Sequence, residues 1–117
     1  MAHYVVFFNQ QWVGDHPDEW FRERGRLAKE VVDQMKAAGV LVFAGGLDED
    51  VAGTAFSADP SGGEVRFRGG RYAETEEYLG GLTVIEVADE AAARMWAGRI
   101  AEACGWPQEA RPIVPPP

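Results

Sequence analysis

The 117-residue chain contains one cysteine, two histidines and fewer basic than acidic side chains, and each shortage disfavours a class of protein. A single cysteine, Cys104, excludes an internal disulfide. His3 and His16 show no metal-ligand spacing, so we expect neither a metal nor another cofactor. With 11 Lys and Arg against 19 Asp and Glu, the net charge of -8 disfavours binding to nucleic acid or to an anionic membrane.

Long hydrophobic runs are also missing from the sequence. The first apolar run, residues 4–8, is far too short for a signal peptide or a membrane span, and no basic segment precedes it. We therefore expect a cytoplasmic protein. The length suits one domain, which we assign to residues 1–114, and the prolines at 115–117 are expected to form a disordered tail.

Hydrophobic periodicity predicts the order strand, helix, strand, hairpin, strand, helix, strand. The strands are expected at residues 4–8, 40–44, 54–57, 65–68, 82–87 and 110–114. The first helix is expected to begin at Pro17 and end near Gly39, and the second to begin after a cap at Asp89. Residues 71–81 are expected to form a loop with room for one helical turn. Gly98, inside the second helix, suggests close packing against the sheet.

This order predicts an α+β fold of the ferredoxin-like type, βαβ-hairpin-βαβ, with an antiparallel-dominated sheet and both helices on one face. The first strand is apolar on both sides, because Val5 and Phe7 alternate with Tyr4, Val6 and Phe8. A sheet face that is exposed to water normally alternates apolar with polar residues. We therefore expect a second copy of the chain to cover the open face, as in a dimeric α+β barrel. A ligand cavity lined by the same residues is the alternative, and both can coexist.

One segment resembles a known family. Residues 72–81, Tyr-Ala-Glu-Thr-Glu-Glu-Tyr-Leu-Gly-Gly, are similar to the run Phe-Ala-Glu-Thr-Lys-Glu-x-Leu-Gly-Gly of the YCII-related proteins of the DGPF type. The first strand, the junction at residues 37–41, the segment around 89–97 and the segment 110–113 resemble the same family, in the same order. The resemblance implies a ferredoxin-like fold that pairs into a dimeric α+β barrel. It implies little about activity.

Some relatives of this type resemble lyases or dehydrochlorinases that act through a His-Asp pair. By the resemblance, the His position corresponds to Gly25 or its neighbour Arg26. The Asp-Gly-Pro-Phe signature corresponds to residues 69–72, Gly-Gly-Arg-Tyr, so the Asp and the Pro are absent. Proton transfer by that pair is therefore not available to this chain.

The remaining candidates for a site are few. His16, beside two aspartates at the start of the first helix, is a candidate general base, and Tyr72 and Glu74 in the 71–81 loop are further catalytic candidates. Each also has an ordinary structural reading as a cap, packing or surface residue. The expected pocket lies between the sheet, the first helix and the 71–81 loop. Its expected lining is Phe8, Trp20, Arg24, Tyr72 and Gly81.

Three functions are compatible with these residues. The first is a dimeric protein that binds a small aromatic or carboxylate ligand, or a cofactor-free enzyme of lyase or isomerase type using such a pocket. The second is a non-catalytic binding or regulatory module, which the missing His and Asp favour. A structural protein that offers its sheet face to another chain is a third interpretation.

Overall fold

The computed structural model describes residues 1–116. The elements are β1 (Ala2–Asn9), a single 3₁₀ turn (Gln10–Trp12), α1 (Asp18–Ala37), β2 (Leu41–Gly46), β3 (Phe56–Asp59), β4 (Arg66–Gly69), β5 (Leu79–Val87), α2 (Glu90–Cys104) and β6 (Glu109–Pro112). This order of elements confirms the prediction. Of the predicted tail at 115–117, the last residue lies outside the described residues, and Pro115 and Pro116 have no regular secondary structure.

Four strands form the main sheet, in the order β2-β5-β1-β6, and every neighbouring pair is antiparallel. β1 and β2 flank β5, and β5 and β6 flank β1, so each helix connects two strands that are separated by a third. This is the ferredoxin-like α+β arrangement that the sequence predicts.

The core lies between the helices and one face of the sheet. Val6 and Ile85 contribute the buried side chains of the central strands, Met35 comes from α1, and Trp96 and Ile100 come from α2. The second helix begins at its predicted cap, where the Asp89 carboxylate accepts a hydrogen bond from the Ala92 backbone N–H at 2.9 Å.

The opposite face of the sheet has no helix on it, and we call it the open face. Cross-strand partners share a face, so the register places ten residues there: His3, Val5, Phe7, Phe43, Gly45, Leu82, Val84, Glu86, Glu109 and Arg111. Its middle is apolar, and its margin carries the His3–Glu86 pair at 3.0 Å. The 57% exposure of the Phe43 side chain shows that this apolar surface meets solvent. The expectation of two apolar sheet faces is thus correct.

β3 and β4 form a separate two-stranded sheet, which we call the hairpin arm. It is inserted between β2 and β5, and its base is closed by a hydrogen bond from the Gly70 N–H to the Ala55 carbonyl at 2.8 Å. The radius of gyration is 16.3 Å, against about 13 Å for a compact chain of this length. The hairpin arm therefore extends from the main body.

Four predictions of local structure are wrong. β5 begins at Leu79 rather than Leu82, and residues 71–78 contain no helical turn. The strand includes Gly80 and Gly81 because Gly81 pairs with Phe8 of β1 and with Gly46 of β2. Gly98 is exposed, and a Cβ built on it meets nothing within 4 Å, so sheet packing does not explain this glycine. The hairpin strands and β6 are displaced from their predicted limits by one or two residues.

Candidate functional site

A cavity of about 480 Å³ lies between α1 and the helix-covered face of the sheet. Its walls come from β1, α1, β2, β5, the end of α2 and the segment that follows it. The lining is Phe8, Phe21, Arg24, Gly25, Ala28, Lys29, Val32, Asp33, Lys36, Ala44, Gly45, Gly46, Leu82, Thr83, Ile100, Cys104, Trp106 and Gln108. We call it the α1 cavity. Its volume is within the range of small-molecule sites.

Three cationic side chains and one carboxylate line the α1 cavity. Lys29 and Asp33 pair at 2.8 Å, and this hydrogen bond raises the pKa of Lys29 and lowers the pKa of Asp33. Arg24 is half-buried, donates to the Glu102 carbonyl at 3.2 Å and lies 5.3 Å from the Trp20 ring centroid. With Lys29 and Asp33 neutralising each other, Arg24 and Lys36 make the cavity cationic within an acidic protein.

The sole thiol of the chain lies in the wall of this cavity. Cys104 is buried, and its burial raises the pKa of the thiol to about 11, partly opposed by the Arg24 charge. The group is therefore a neutral thiol at physiological pH and not an activated nucleophile. This agrees with the packed, inert thiol that is the ordinary interpretation of a lone cysteine.

An aromatic row connects the cavity to the start of α1. Phe8 contacts Trp106 with ring centroids 4.9 Å apart, and Trp106 lies 6.2 Å from Trp20. Trp20 in turn stacks on the imidazole of His16 at 3.6 Å. The predicted pocket residue Trp20 therefore supports the wall through Trp106, and does not itself line the cavity.

Gly81, the last predicted pocket residue, does not line the α1 cavity but lies next to the Phe8 ring, which does. A Cβ on Gly81 would lie 2.8 Å from the Phe8 ring, and one on Gly80 would lie 2.7 Å from it. The Phe8 ring therefore occupies the space that side chains at these two positions would need. This close approach explains the Gly-Gly pair at the end of residues 72–81, which we call the family-like segment.

The catalytic candidates lie elsewhere. Tyr72 and Glu74 line a second cavity, of about 530 Å³, together with Arg68 and residues 51–52 and 69–71. The Tyr72 side chain is 65% exposed. His16 lines a third cavity with Glu49 and Phe21, and its Nε2 lies 3.1 Å from the Val13 carbonyl oxygen. The structure thus brings Phe8 and Arg24 together but separates them from Tyr72, Glu74 and His16.

Glu77 is a residue that the sequence reasoning missed. Its carboxylate accepts hydrogen bonds from the Trp12 indole Nε1 at 3.1 and 3.2 Å and from the Asn9 side-chain amide at 3.3 Å. Arg71 lies over the Tyr78 ring at 4.9 Å and donates to Thr75. The resemblance of residues 72–81 to the family could have pointed to Glu77. Its carboxylate attaches this segment to Asn9 of β1 and to Trp12 of the 3₁₀ turn that follows.

The structure distinguishes Gly25 from Arg26, the two positions that the resemblance assigns to the His. Gly25 lines the α1 cavity, and nothing lies within 4 Å of a Cβ built there. Arg26 instead pairs with Glu23 and Glu30, at 2.6 and 2.7 Å, on the exposed side of α1. Gly69, at the position of the family's Asp, lines the second cavity. The two positions that the resemblance assigns to the His-Asp pair therefore line different cavities of one protomer.

The family model of the YCII-related domain matches residues 15–114, most of the chain. The chain belongs to the YCII-related family. The matched region contains α1, the hairpin arm and the family-like segment. Assignment of this YCII-related protein to the DGPF type stays a prediction from residues 72–81. A comparison with curated proteins finds no match.

Two further properties concern the described residues of the YCII-related chain. Within residues 1–116, no three His, Cys, Asp or Glu side chains are grouped so that they could hold a metal ion. In the same range, neither helix is long and apolar enough to cross a membrane.

Proposed function

We propose that the α1 cavity binds a small aromatic carboxylate. The observation that carries this proposal is the combination of aromatic walls, Phe8, Phe21 and Trp106, with the half-buried guanidinium of Arg24 in one cavity. A guanidinium can donate two parallel hydrogen bonds to a carboxylate, which fixes the orientation of the ligand as well as its charge. The rings supply apolar contact area for a planar ligand.

Binding without catalysis fits this cavity better than proton transfer does. Of the titratable groups that line it, Asp33 is paired with Lys29, Cys104 is a neutral thiol, and Arg24 and Lys36 are cations. None of these is a free base near neutral pH. The protein is therefore proposed to be a binding or regulatory module with the YCII-related fold.

Thermal unfolding with benzoate and phenylacetate, against the uncharged benzamide and phenylacetamide, tests the ligand class. A carboxylate at about 100 times its Kd adds about 2.7 kcal/mol to the unfolding free energy, which raises Tm by roughly 10 °C for a domain of this size. The amides should give much smaller shifts. Equal shifts for acids and amides, or no shift with any of the four compounds, would contradict the proposal.

The chain offers a matched control for the role of Arg24. Arg22, on the same helix, is exposed and lines none of the cavities described above. Arg24→Met should weaken carboxylate binding at least tenfold, whereas Arg22→Met should leave it within a factor of two. Loss of binding in both variants would indicate general electrostatic attraction rather than a contact from Arg24.

We also propose that two copies pair through the open face. Phe43 and the half-buried Val5, Phe7, Leu82 and Val84 would then be covered by the same residues of the partner. Sedimentation velocity at micromolar concentration should give a dimer. A monomer over the whole accessible concentration range would refute this pairing but would leave the ligand proposal standing, because Phe8, Phe21, Arg24 and Trp106 of the α1 cavity are not residues of the open face.

A cofactor-free lyase or isomerase is the second candidate function. The observation in its favour is that the His16 imidazole and the Glu49 carboxylate line one cavity, and that Phe21 is shared between this cavity and the α1 cavity. If the protein is an enzyme of this type, His16→Ala should abolish turnover. Tyr72→Phe and Glu74→Gln change the separate second cavity and should leave turnover in place. Turnover that survives His16→Ala would remove this candidate base.

A further inference from the structure

The hairpin arm has one strongly exposed apolar face. Phe56 and Phe67 are 73% and 72% exposed, and their rings lie 6.4 Å apart. Cross-strand pairing of Phe67 with Ala58 places all three side chains on the same face of the arm. Two neighbouring aromatic rings in contact with water are unusual on a surface that has no partner.

The other face of the arm is polar and turned toward its own chain. It presents the cross-strand pairs Asp59–Arg66 and Ser57–Arg68. The Arg68 guanidinium donates to the Tyr72 carbonyl at 2.7 Å, which attaches this face to the loop before β5. The arm is therefore amphipathic, and its attachment directs the phenylalanines away from the protomer.

An arm of this kind is poorly supported within one protomer. A two-stranded hairpin alone is at best marginally stable in water, and β3 and β4 pack mainly against each other. The thin dimension of the molecule is 20 Å while the other two are 46 and 44 Å. The arm is thus a projection whose apolar face needs a cover from outside the protomer.

We propose that the hairpin arm packs Phe56 and Phe67 against a second copy of the chain. This inference rests on the proposed dimer through the open face. A stable interface uses about 20–30 residues from each partner, but the open face offers only the ten residues given above. The arm adds the contact area that the open face lacks. In a dimer with one two-fold axis, each copy can cover both the open face and the arm of the other.

Sedimentation velocity of a double variant, Phe56→Ser with Phe67→Ser, tests the role of the arm. Each buried aromatic anchor is expected to contribute tenfold or more to the affinity, so the dimer Kd should rise at least 100-fold. Met95→Ser, which changes a 46% exposed apolar residue on α2, is the matched control and should leave the Kd within threefold. An unchanged Kd in the double variant would overturn the proposal.

A third variant separates the arm from the open face. Val84→Arg, in the centre of the open face, should also dissociate the dimer. If Val84→Arg dissociates the dimer and the double Phe variant does not, the arm proposal is overturned and the open-face dimer stands. If only the double Phe variant dissociates, the arm is an interface and the open-face pairing is wrong. A monomeric wild-type protein would overturn both.

Amide hydrogen exchange of the wild-type protein tests the burial of the hairpin arm without any variant, so that a folding defect in a variant cannot affect the result. Amides of residues 56–59 and 66–69 should exchange more slowly at a concentration well above the dimer Kd than at one well below it. Exchange rates in the arm that do not depend on concentration would contradict its burial in the dimer.

Discussion

The Trp12 indole Nε1 donates to both oxygens of the Glu77 carboxylate, at 3.1 and 3.2 Å. The same indole stacks on Phe7 of the open face, with ring centroids 6.4 Å apart. The Gln10 N–H donates to the Tyr78 carbonyl at 2.8 Å beside this contact. The family-like segment is therefore fastened to the end of β1, and it positions an aromatic ring at the margin of the proposed dimer interface.

Glu77→Ala is expected to lower the free energy of unfolding by about 1 kcal/mol, because the Trp12 and Asn9 donors lose their acceptor. Glu76→Ala, at the exposed neighbouring position, should change it by less than about 0.5 kcal/mol. Urea denaturation followed by far-UV circular dichroism measures both. Equal losses in the two variants would show that the hydrogen bonds to Glu77 contribute nothing specific.

Gly81→Ala should destabilise the protein by about 1–3 kcal/mol, because its Cβ would meet the Phe8 ring at 2.8 Å. Gly46→Ala, at the facing position of β2, is the control, since a Cβ there meets nothing within 4 Å. In a Phe8→Ala background the part of the cost that comes from the ring should disappear, while the 3.2 Å approach of the Cβ to the Gly45 carbonyl oxygen remains, and a double-mutant cycle measures the difference. Additive effects of the two changes would disprove the proposed close approach.

Gly25 and Gly98 form a matched pair for testing the α1 cavity. Both lie inside helices, and a Cβ added at either position has no neighbour within 4 Å. Leu at either position should raise the free energy of unfolding by about 0.5–1 kcal/mol through helix propensity. Only Gly25→Leu should fill the cavity and abolish carboxylate binding in calorimetric titration. Retained affinity in Gly25→Leu would show that the ligand binds elsewhere.

The buried thiol predicts a dependence of stability on alkaline pH. Burial raises the pKa of Cys104 from its ordinary value of 9.0 to about 11, so the folded state holds this proton more tightly than the unfolded state does. The stabilisation is complete below pH 9 and is lost as the pH rises toward 11. Wild type should therefore lose more unfolding free energy than Cys104→Ala does between pH 8.5 and 11. Parallel pH profiles would contradict the raised pKa.

Local sequence patterns were sufficient for the order of the elements, the sheet type and the Asp89 cap, because these depend on periodicity and on neighbouring residues. They were insufficient for Gly80 and Gly81, because the inclusion of this segment in β5 depends on the pairing of Gly81 with Phe8 and Gly46, which are distant in sequence. Glu77 was missed for the same reason, since its partner Trp12 is distant in sequence. Phe8 and Arg24 line one cavity and Tyr72 and Glu74 line another, and this separation depends on the three-dimensional path of the hairpin arm, which local patterns do not contain.

A small aromatic carboxylate is proposed to bind in the α1 cavity, and an amide nitrogen–proton NMR titration with phenylacetate locates the binding site residue by residue. Saturable shifts are expected for Arg24, Gly25 and Thr83, which line this cavity, with little change at Val51, Gly69 and Glu74 of the second cavity. Shifts confined to the second cavity, or shifts that do not saturate at any residue, would contradict the claim.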